Sequence, residues 1–165
     1  MHKIVLLLIT LFCTLNLQAQ KTETTTYYLI RHAEKVRSNA NNKNPNLKEK
    51  GVDRAIKWSK TFKNIEFDYI FSTNYKRTIQ TALPTAKNKN IEIQFYNPND
   101  LYNEEFKALT TGKTVLIVGH SNTTPLFVNK ILGEEKYQEI DDRNNANLYI
   151  ITISNNTIFD ILLAI

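Results

Sequence analysis

The sequence predicts a single-domain α/β fold with a mainly parallel sheet, because three features occur together. Short apolar runs rich in β-branched residues alternate with segments of helical spacing. No internal repeat and no long linker divides the chain. The last two apolar runs are separated only by the Ser-Asn-Asn segment at residues 154–156, which predicts a C-terminal β-hairpin.

The elements follow one another in a regular order. The first strand is predicted at residues 25–30, and an Asn-rich loop at 38–46 separates it from the first helix. Gly112 is well placed to end the third helix, whose first turn is acidic. Pro125 is tolerated in the first turn of the fourth. The remaining strands are predicted at 67–71, 91–95, 114–118, 148–153 and 158–163, and the helices at 47–62, 76–86, 100–109 and 123–132.

Residues 1–20 have the layout of a secretory signal peptide. Lys3 precedes an apolar run at 4–17, and Ala19 offers a small-residue cleavage point. The run is shorter than the roughly 18–20 residues that span a bilayer, which disfavours the alternative of a retained anchor. We expect export to the periplasm or the extracellular space and no stable membrane insertion after cleavage. The mature domain, residues 21–165, contains no cysteine because Cys13 is the only one, so disulfides are excluded.

The charge pattern favours a small anionic partner over nucleic acid. The formal net charge is +5, but the lysines are scattered and no stripe of basic and aromatic residues is present. No His-x-x-x-His pattern or carboxylate cluster indicates a metal site.

Reactive residues follow three of the predicted strands directly. They are Arg31 and His32, the segment from Ser72 to Arg77, and the segment from Gly119 to Ser121. Ligands of open α/β sheets bind at the carboxyl ends of the strands. Since His2 lies in the signal segment, both histidines of the mature chain belong to these segments. The sequence therefore predicts one functional site at this edge.

Four segments, in order, resemble the signature of the histidine phosphatase superfamily, which includes phosphoglycerate mutases. Residues 28–35 (YLIRHAEK) resemble its R-H-G/A motif, and residues 118–122 (VGHSN) match its G-H segment. Residues 47–51 (LKEKG) are similar to L-T-x-x-G with Lys48 in place of Thr, and residues 71–82 (FSTNYKRTIQTA) to S-S-x-x-x-R-A-x-Q-T-A. The resemblance implies a three-layer α/β/α sandwich of the phosphoglycerate mutase type. Ala33, Lys35 and the lack of cap insertions are closer to the short SixA-like branch.

The resemblance also implies roles for individual residues. His32 would attack the phosphoryl group and hold it as a phosphoramidate. Arg31 and Arg77 would clamp its oxygens, and His120 would donate a hydrogen bond to one of them. No cofactor and no metal is implied. Further residues expected to line the substrate mouth are Lys35, Ser72, Ser121 and Asn122.

The general acid is less well specified. The superfamily supplies a carboxylate after the third strand, and Asp100 is our first choice because it lies closest to the strand end. Glu104, Glu105 and Glu34 remain candidates. An equally weighted interpretation makes Asp100 the N-cap of the following helix.

These residues predict a phosphatase that hydrolyses small phosphate monoesters through a phosphohistidine on His32. One alternative is a phosphatase acting on phosphohistidine or phosphoprotein, and another is a phosphate-binding module without catalysis. The sequence specifies neither the natural substrate nor the oligomeric state.

Overall fold

The computed structural model describes residues 23–165, and the predicted signal peptide lies outside the described residues. Six strands form one sheet: Thr25–Arg31 (β1), Tyr69–Ser72 (β2), Ile93–Phe95 (β3), Thr114–Gly119 (β4), Asn147–Ser154 (β5) and Thr157–Ala164 (β6). Four helices connect them: Glu49–Thr61 (α1), Lys76–Lys89 (α2), Glu104–Thr110 (α3) and Thr123–Leu132 (α4).

The strand order in the sheet is β3-β2-β4-β1-β5-β6. The first four of these strands are mutually parallel, whereas β5 runs antiparallel to β1 and β6 antiparallel to β5. The α/β class, the mainly parallel sheet and the C-terminal hairpin are therefore confirmed. Asn155 and Asn156 form the hairpin turn with φ of 50° and 60°, a left-handed backbone that Asn tolerates well.

Side chains alternate across the sheet, so each face carries its own apolar core. On one face, Trp58 of α1 and Ala82 of α2 pack against Ile30, Leu116 and other residues of the central strands. On the opposite face, α3 and α4 contribute Phe106, Phe127, Val128 and Ile131 to a second cluster. The result is the expected three-layer arrangement, with helices on both sides of the sheet.

The third helix begins later than the sequence predicted. Residues 100–103 form a turn, in which Tyr102 has a φ of 53°, and α3 starts only at Glu104. Asn103 is the N-cap, because its side chain accepts a hydrogen bond from the Phe106 amide. The prediction that Asp100 caps this helix is therefore wrong.

The start of α1 is fixed by a close backbone approach. The Lys48 amide donates to the Glu34 carbonyl at 2.9 Å, and Gly51 lies against the same peptide. A Cβ atom at Gly51 would lie only 2.2 Å from the Glu34 oxygen. The lack of a side chain at Gly51 therefore allows the first turn of α1 to pack closely against the loop after β1.

The hairpin strand β6 forms one edge of the sheet, and most of its residues are exposed. They include five large apolar side chains on both faces of the strand, namely Ile158, Phe159, Ile161, Leu162 and Leu163. Within residues 23–165, no helix has both the length and the apolar character needed to cross a bilayer.

Candidate active site

The carboxyl ends of β1, β2 and β4 open onto a cavity of about 310 Å³, which we call the phosphate cavity. The structure brings four of the predicted catalytic residues together there, although they are far apart in sequence. Its lining also includes side chains from the loop after β3 and from the segment before β5. The lining residues are Arg31, His32, Lys35, Tyr75, Arg77, Pro98, Asn99, His120, Ser121, Asn122, Thr123 and Asp142.

His32 lies immediately after β1, and its amide donates to the Gly119 carbonyl at 2.9 Å. The ring is buried, with only 3% of the residue exposed. Its Nδ1 lies 2.7 Å from the Ala33 carbonyl oxygen, which can only accept, so Nδ1 carries the proton. Nε2 is therefore the nitrogen with the free lone pair.

His120 follows β4 and lies beside His32, with 5.5 Å between the ring centroids. The Arg77 guanidinium donates from Nη2 to His120 Nδ1 at 3.3 Å, because a guanidinium cannot accept. The proton of the neutral ring is consequently on Nε2, which donates to the Thr73 hydroxyl at 2.9 Å. Tyr75 supports the Arg77 cation, which lies 4.5 Å from the centroid of its ring.

Both histidines are held in the neutral form. Burial lowers the pKa of His32 to about 3, and the charges of Arg31 and Arg77 act in the same direction, whereas the hydrogen bond to the Ala33 carbonyl opposes them. Burial, followed by the charges of Arg77, Lys35 and Arg31, lowers the pKa of His120 to about 4. A site that keeps a ring unprotonated at neutral pH preserves the lone pair that a nucleophile needs.

Arg31 is almost completely buried and is held by the segment before β5. Its Nη1 donates to the carbonyls of Asp141 and Asn144, each at 2.9 Å. Its Nη2 donates to the Asp142 carboxylate, which also pairs with Arg37. The hydrogen bonds from Arg37 and then Arg31 hold the pKa of Asp142 well below its usual range, so this carboxylate stays ionised.

Two buried donors of the site have no hydrogen-bond partner within the described part of the chain. They are Nε of Arg31 and Nε of Arg77. A buried N–H left unpaired costs about 1–3 kcal/mol, and native proteins retain few of them. That both belong to guanidiniums lining one cavity is consistent with a site built for an oxyanion.

Not every predicted residue lines the phosphate cavity. Lys35, Ser121 and Asn122 do, but Ser72 is fully buried and its hydroxyl donates to the Thr73 carbonyl. The expectation that Ser72 lines the substrate mouth is therefore wrong, because the strand pleat turns its side chain inward.

The candidate acids lie elsewhere. Asp100 is exposed, and its carboxylate accepts a hydrogen bond from the Asn103 amide at 2.8 Å. Glu104 and Glu105 are exposed on α3. Glu34 lies against Arg54, which donates to both carboxylate oxygens. Burial tends to raise the pKa of Glu34, but the hydrogen bonds from Arg54 outweigh burial and lower it.

Sequence reasoning missed Thr73, Tyr75, Asn145 and Asp142. Thr73 and Tyr75 lie inside the recognised 71–82 segment, so their closeness to Arg77 was a usable signal. Asn145 donates from its amide to the His32 carbonyl at 2.8 Å. Asp142 and Asn145 belong to a segment without periodicity, and no local pattern marked them.

No group of three or more His, Cys, Asp or Glu side chains suited to a metal ion is present within residues 23–165. Arg31, Arg77 and Lys35 supply positive charge at the cavity. These cations are suited to binding a phosphoryl group electrostatically.

Comparison with known proteins points in the same direction. The sequence profile of the histidine phosphatase superfamily (branch 1) matches residues 27–97. No curated protein sequence matches the chain significantly.

Several solved structures share the fold. A protein from Agrobacterium tumefaciens described as the phosphohistidine phosphatase SixA superposes with a TM-score of 0.63 at 20% identity, covering 86% of this chain and 99% of that one. A mutant phosphoserine phosphatase from Entamoeba histolytica, in complex with phosphoserine, gives a TM-score of 0.62 at 15% identity, covering 85% and 95%. Phosphoglycerate mutase from Bacillus anthracis gives 0.61 at 14% identity, covering 87% and 93%.

The profile match is to a superfamily of phosphatases, and the solved structures show that the chain shares their fold. The matched residues include His32 and Arg77, and the superposed structures extend over almost their entire lengths. Residues 27–97 are thus a histidine phosphatase superfamily segment, and the described chain has the fold of the short, SixA-like members of that superfamily.

Proposed function

We propose that this chain is a phosphatase in which His32 Nε2 accepts the phosphoryl group as a covalent phosphohistidine. The observation that carries the proposal is the state of the His32 ring. Its Nδ1 proton is committed to the Ala33 carbonyl and its pKa is lowered to about 3, so Nε2 is an unprotonated nucleophile facing a cationic cavity.

The first step transfers the phosphoryl group from substrate to enzyme. Arg31 and Arg77 bind the phosphoryl oxygens, and His32 Nε2 forms a bond to phosphorus while the bond to the leaving oxygen breaks. His120 donates to a phosphoryl oxygen from Nδ1 after that nitrogen takes up a proton. The adjacent phosphate dianion raises the pKa of this ring, opposing the cations that lower it in the free enzyme.

In the second step, water attacks phosphorus and the P–N bond breaks, which returns neutral His32 and releases inorganic phosphate. Two residues of the phosphate-cavity lining, Asn99 and Asn122, are exposed to solvent, so water can reach the cavity beside them. Water access favours hydrolysis over transfer back to a second substrate.

Proton delivery to the leaving group is the limiting feature of this site. Within the described lining of the phosphate cavity, the one carboxylate is Asp142, and its pairs with Arg31 and Arg37 keep it ionised. It is therefore a poor general acid. Substrates whose leaving group departs without a proton from a carboxylate, such as aryl phosphates, should be turned over best.

The lack of a suitable general acid in the described lining also favours a second candidate function, that of a phosphatase for phosphohistidine. The leaving imidazole of that substrate is stable without protonation by a carboxylate. Export, which remains a prediction from residues 1–20, argues against a cytoplasmic partner of this kind. Turnover of a phosphohistidine protein should be compared with that of aryl and alkyl phosphates. A preference for alkyl phosphates would show that the site can protonate a leaving group after all. That result would contradict our view of Asp142 as a poor general acid, and it would contradict this second candidate as well.

Trapping of the intermediate tests the main proposal. With a ³²P-labelled aryl phosphate, we expect acid-labile, base-stable label on the wild-type chain and none on His32→Ala. The matched control is His120→Ala, which keeps the nucleophile and should still be labelled, at a reduced rate. Full activity of His32→Ala would refute the covalent route. Saturable phosphate binding with no turnover of any ester would indicate a non-catalytic binding module instead.

A further inference from the structure

A second cavity adjoins the phosphate cavity and is slightly larger, at about 420 Å³. It lies between the loop after β1, the first turn of α1 and the segment before β5, and we call it the basic cavity. Lys35 and Asp142 line both cavities, so a single molecule can extend from one into the other. The volume is in the range of small-molecule sites, which favours a small ligand over a folded partner.

The basic cavity carries an excess of positive charge. Its cations are Lys35, Arg37, Lys48, Lys50 and Arg143, against two carboxylates. Both carboxylates are already engaged by arginines, Glu34 by Arg54 and Asp142 by Arg31 and Arg37. The arginines Arg54 and Arg31 lie outside the lining of this cavity. Among the lysines of the lining, Lys50 reaches a carboxylate within the described residues, Glu34 at 3.8 Å.

Two lysines in particular have no counterion. Neither Lys35 nor Lys48 forms an ion pair with any residue in the range 23–165. Lys35 is also crowded by like charge, since burial and then the charges of Arg77 and Arg37 lower its pKa. An anion in either cavity would relieve this repulsion.

Lys48 occupies a position at which other residue types would stabilise the helix more. It is the N-cap of α1, and its side chain makes no capping hydrogen bond. Ser, Thr, Asp or Asn at an N-cap stabilises a helix by about 1 kcal/mol relative to non-capping residues, and a cation there opposes the helix dipole. A residue that breaks a local rule beside a site is commonly retained for function.

We propose that the basic cavity binds a second anionic group of the substrate, so that the preferred substrates carry a phosphate or carboxylate in addition to the phosphoryl group attacked by His32. This inference rests on the proposed function. The transferred phosphoryl group lies between Arg31 and Arg77, and the second anion lies beyond Lys35, next to Lys48 and Lys50.

Binding of flexible bisphosphates tests this assignment without turnover. We would measure the affinities of the bisphosphates of propane-1,3-diol, butane-1,4-diol and hexane-1,6-diol by calorimetry, and compare each with its monophosphate. The spacer series covers a range of distances between the two anionic groups. We expect at least one bisphosphate to bind about tenfold more tightly than its monophosphate at low salt, with the advantage shrinking as ionic strength rises.

Lys48→Gln should reduce that advantage about three- to fivefold, and Lys48→Gln/Lys50→Gln should remove most of it. Monophosphate affinity and kcat/KM for 4-nitrophenyl phosphate should stay within about twofold, because neither lysine lines the phosphate cavity. The charge-matched control is Lys130→Gln on α4, outside both cavities, which should leave the bisphosphate advantage intact.

Bisphosphates that bind no better than monophosphates would overturn the inference. The inference would also be overturned if Lys48→Gln and Lys130→Gln reduced the affinity advantage of bisphosphates over monophosphates by equal factors. If 4-nitrophenyl phosphate is hydrolysed in either case, the proposed function stands without the second subsite. A bisphosphate preference sensitive to Lys48→Gln but with no turnover of any ester would instead refute the proposed function and leave the anion site in place.

Discussion

Replacing His32 with Asn should change how the stability of the protein depends on pH. The folded chain holds the pKa of His32 at about 3, whereas an unfolded chain gives histidine a pKa of about 6.5. Between these values the unfolded state binds more protons at this residue than the folded state does. Lowering the pH from 7 therefore shifts the equilibrium towards unfolding.

Proton linkage sets the size of the effect. At pH 5 about 97% of unfolded His32 is protonated, against about 1% in the folded chain, and this difference costs about 2 kcal/mol of folding free energy relative to pH 7. Asn has a hydrogen-bonding side chain but does not titrate in this range. His32→Asn should therefore lose about 2 kcal/mol less stability than the wild type between pH 7 and pH 5.

Urea unfolding at both pH values, in buffer without phosphate, measures this double difference. Any general destabilisation of the variant cancels, because each protein is compared with itself. Lys130→Gln is the control and should retain the wild-type dependence on pH. An identical loss of stability in wild type and His32→Asn would show that the His32 ring is not held neutral, and would remove the basis for its role as a nucleophile.

Two further predictions concern Asp142 and Gly51. Asp142→Asn should lower the inhibition constant for inorganic phosphate about three- to fivefold, because it removes a partly screened negative charge from the phosphate cavity. Competition with an aryl phosphate measures this constant, and weaker inhibition would mean that Asp142 acts mainly by orienting Arg31. Gly51→Ala should destabilise the fold by about 1–3 kcal/mol, since its Cβ would lie 2.2 Å from the Glu34 carbonyl oxygen. Urea unfolding tests it, and stability equal to wild type would show that α1 can shift away from Glu34 without cost.

The sequence could predict which residues meet at the site because the fold class determines where strand ends lie. Arg31, His32 and His120 each follow a buried strand, and parallel strands bring their carboxyl ends to one edge. Arg77 follows by the same reasoning, since it lies in the first turn of the helix after β2. Strand alternation and apolar periodicity predicted nearly all element boundaries within a few residues.

What the sequence could not predict depends on contacts between distant segments. Asp142 reaches Arg31 across more than a hundred residues, from a stretch with no helical or strand period. The side-chain direction of Ser72 depended on whether β2 includes it, and a boundary of one residue decides that direction. The position of Asp100 relative to α3 was also not predictable from the sequence, because a left-handed turn at Tyr102 precedes the helix and moves its start to Glu104.

The exposed strand β6 has a practical consequence for every assay of this protein. Within residues 23–165, its outer backbone groups have no ladder partner, and few charges interrupt its row of large apolar side chains. Such an edge is a template on which another extended chain can add. We therefore expect self-association to contribute to kinetic and calorimetric signals at high protein concentration. Dilution series, or a variant with lysine in place of Phe159 or Ile161, would separate the two.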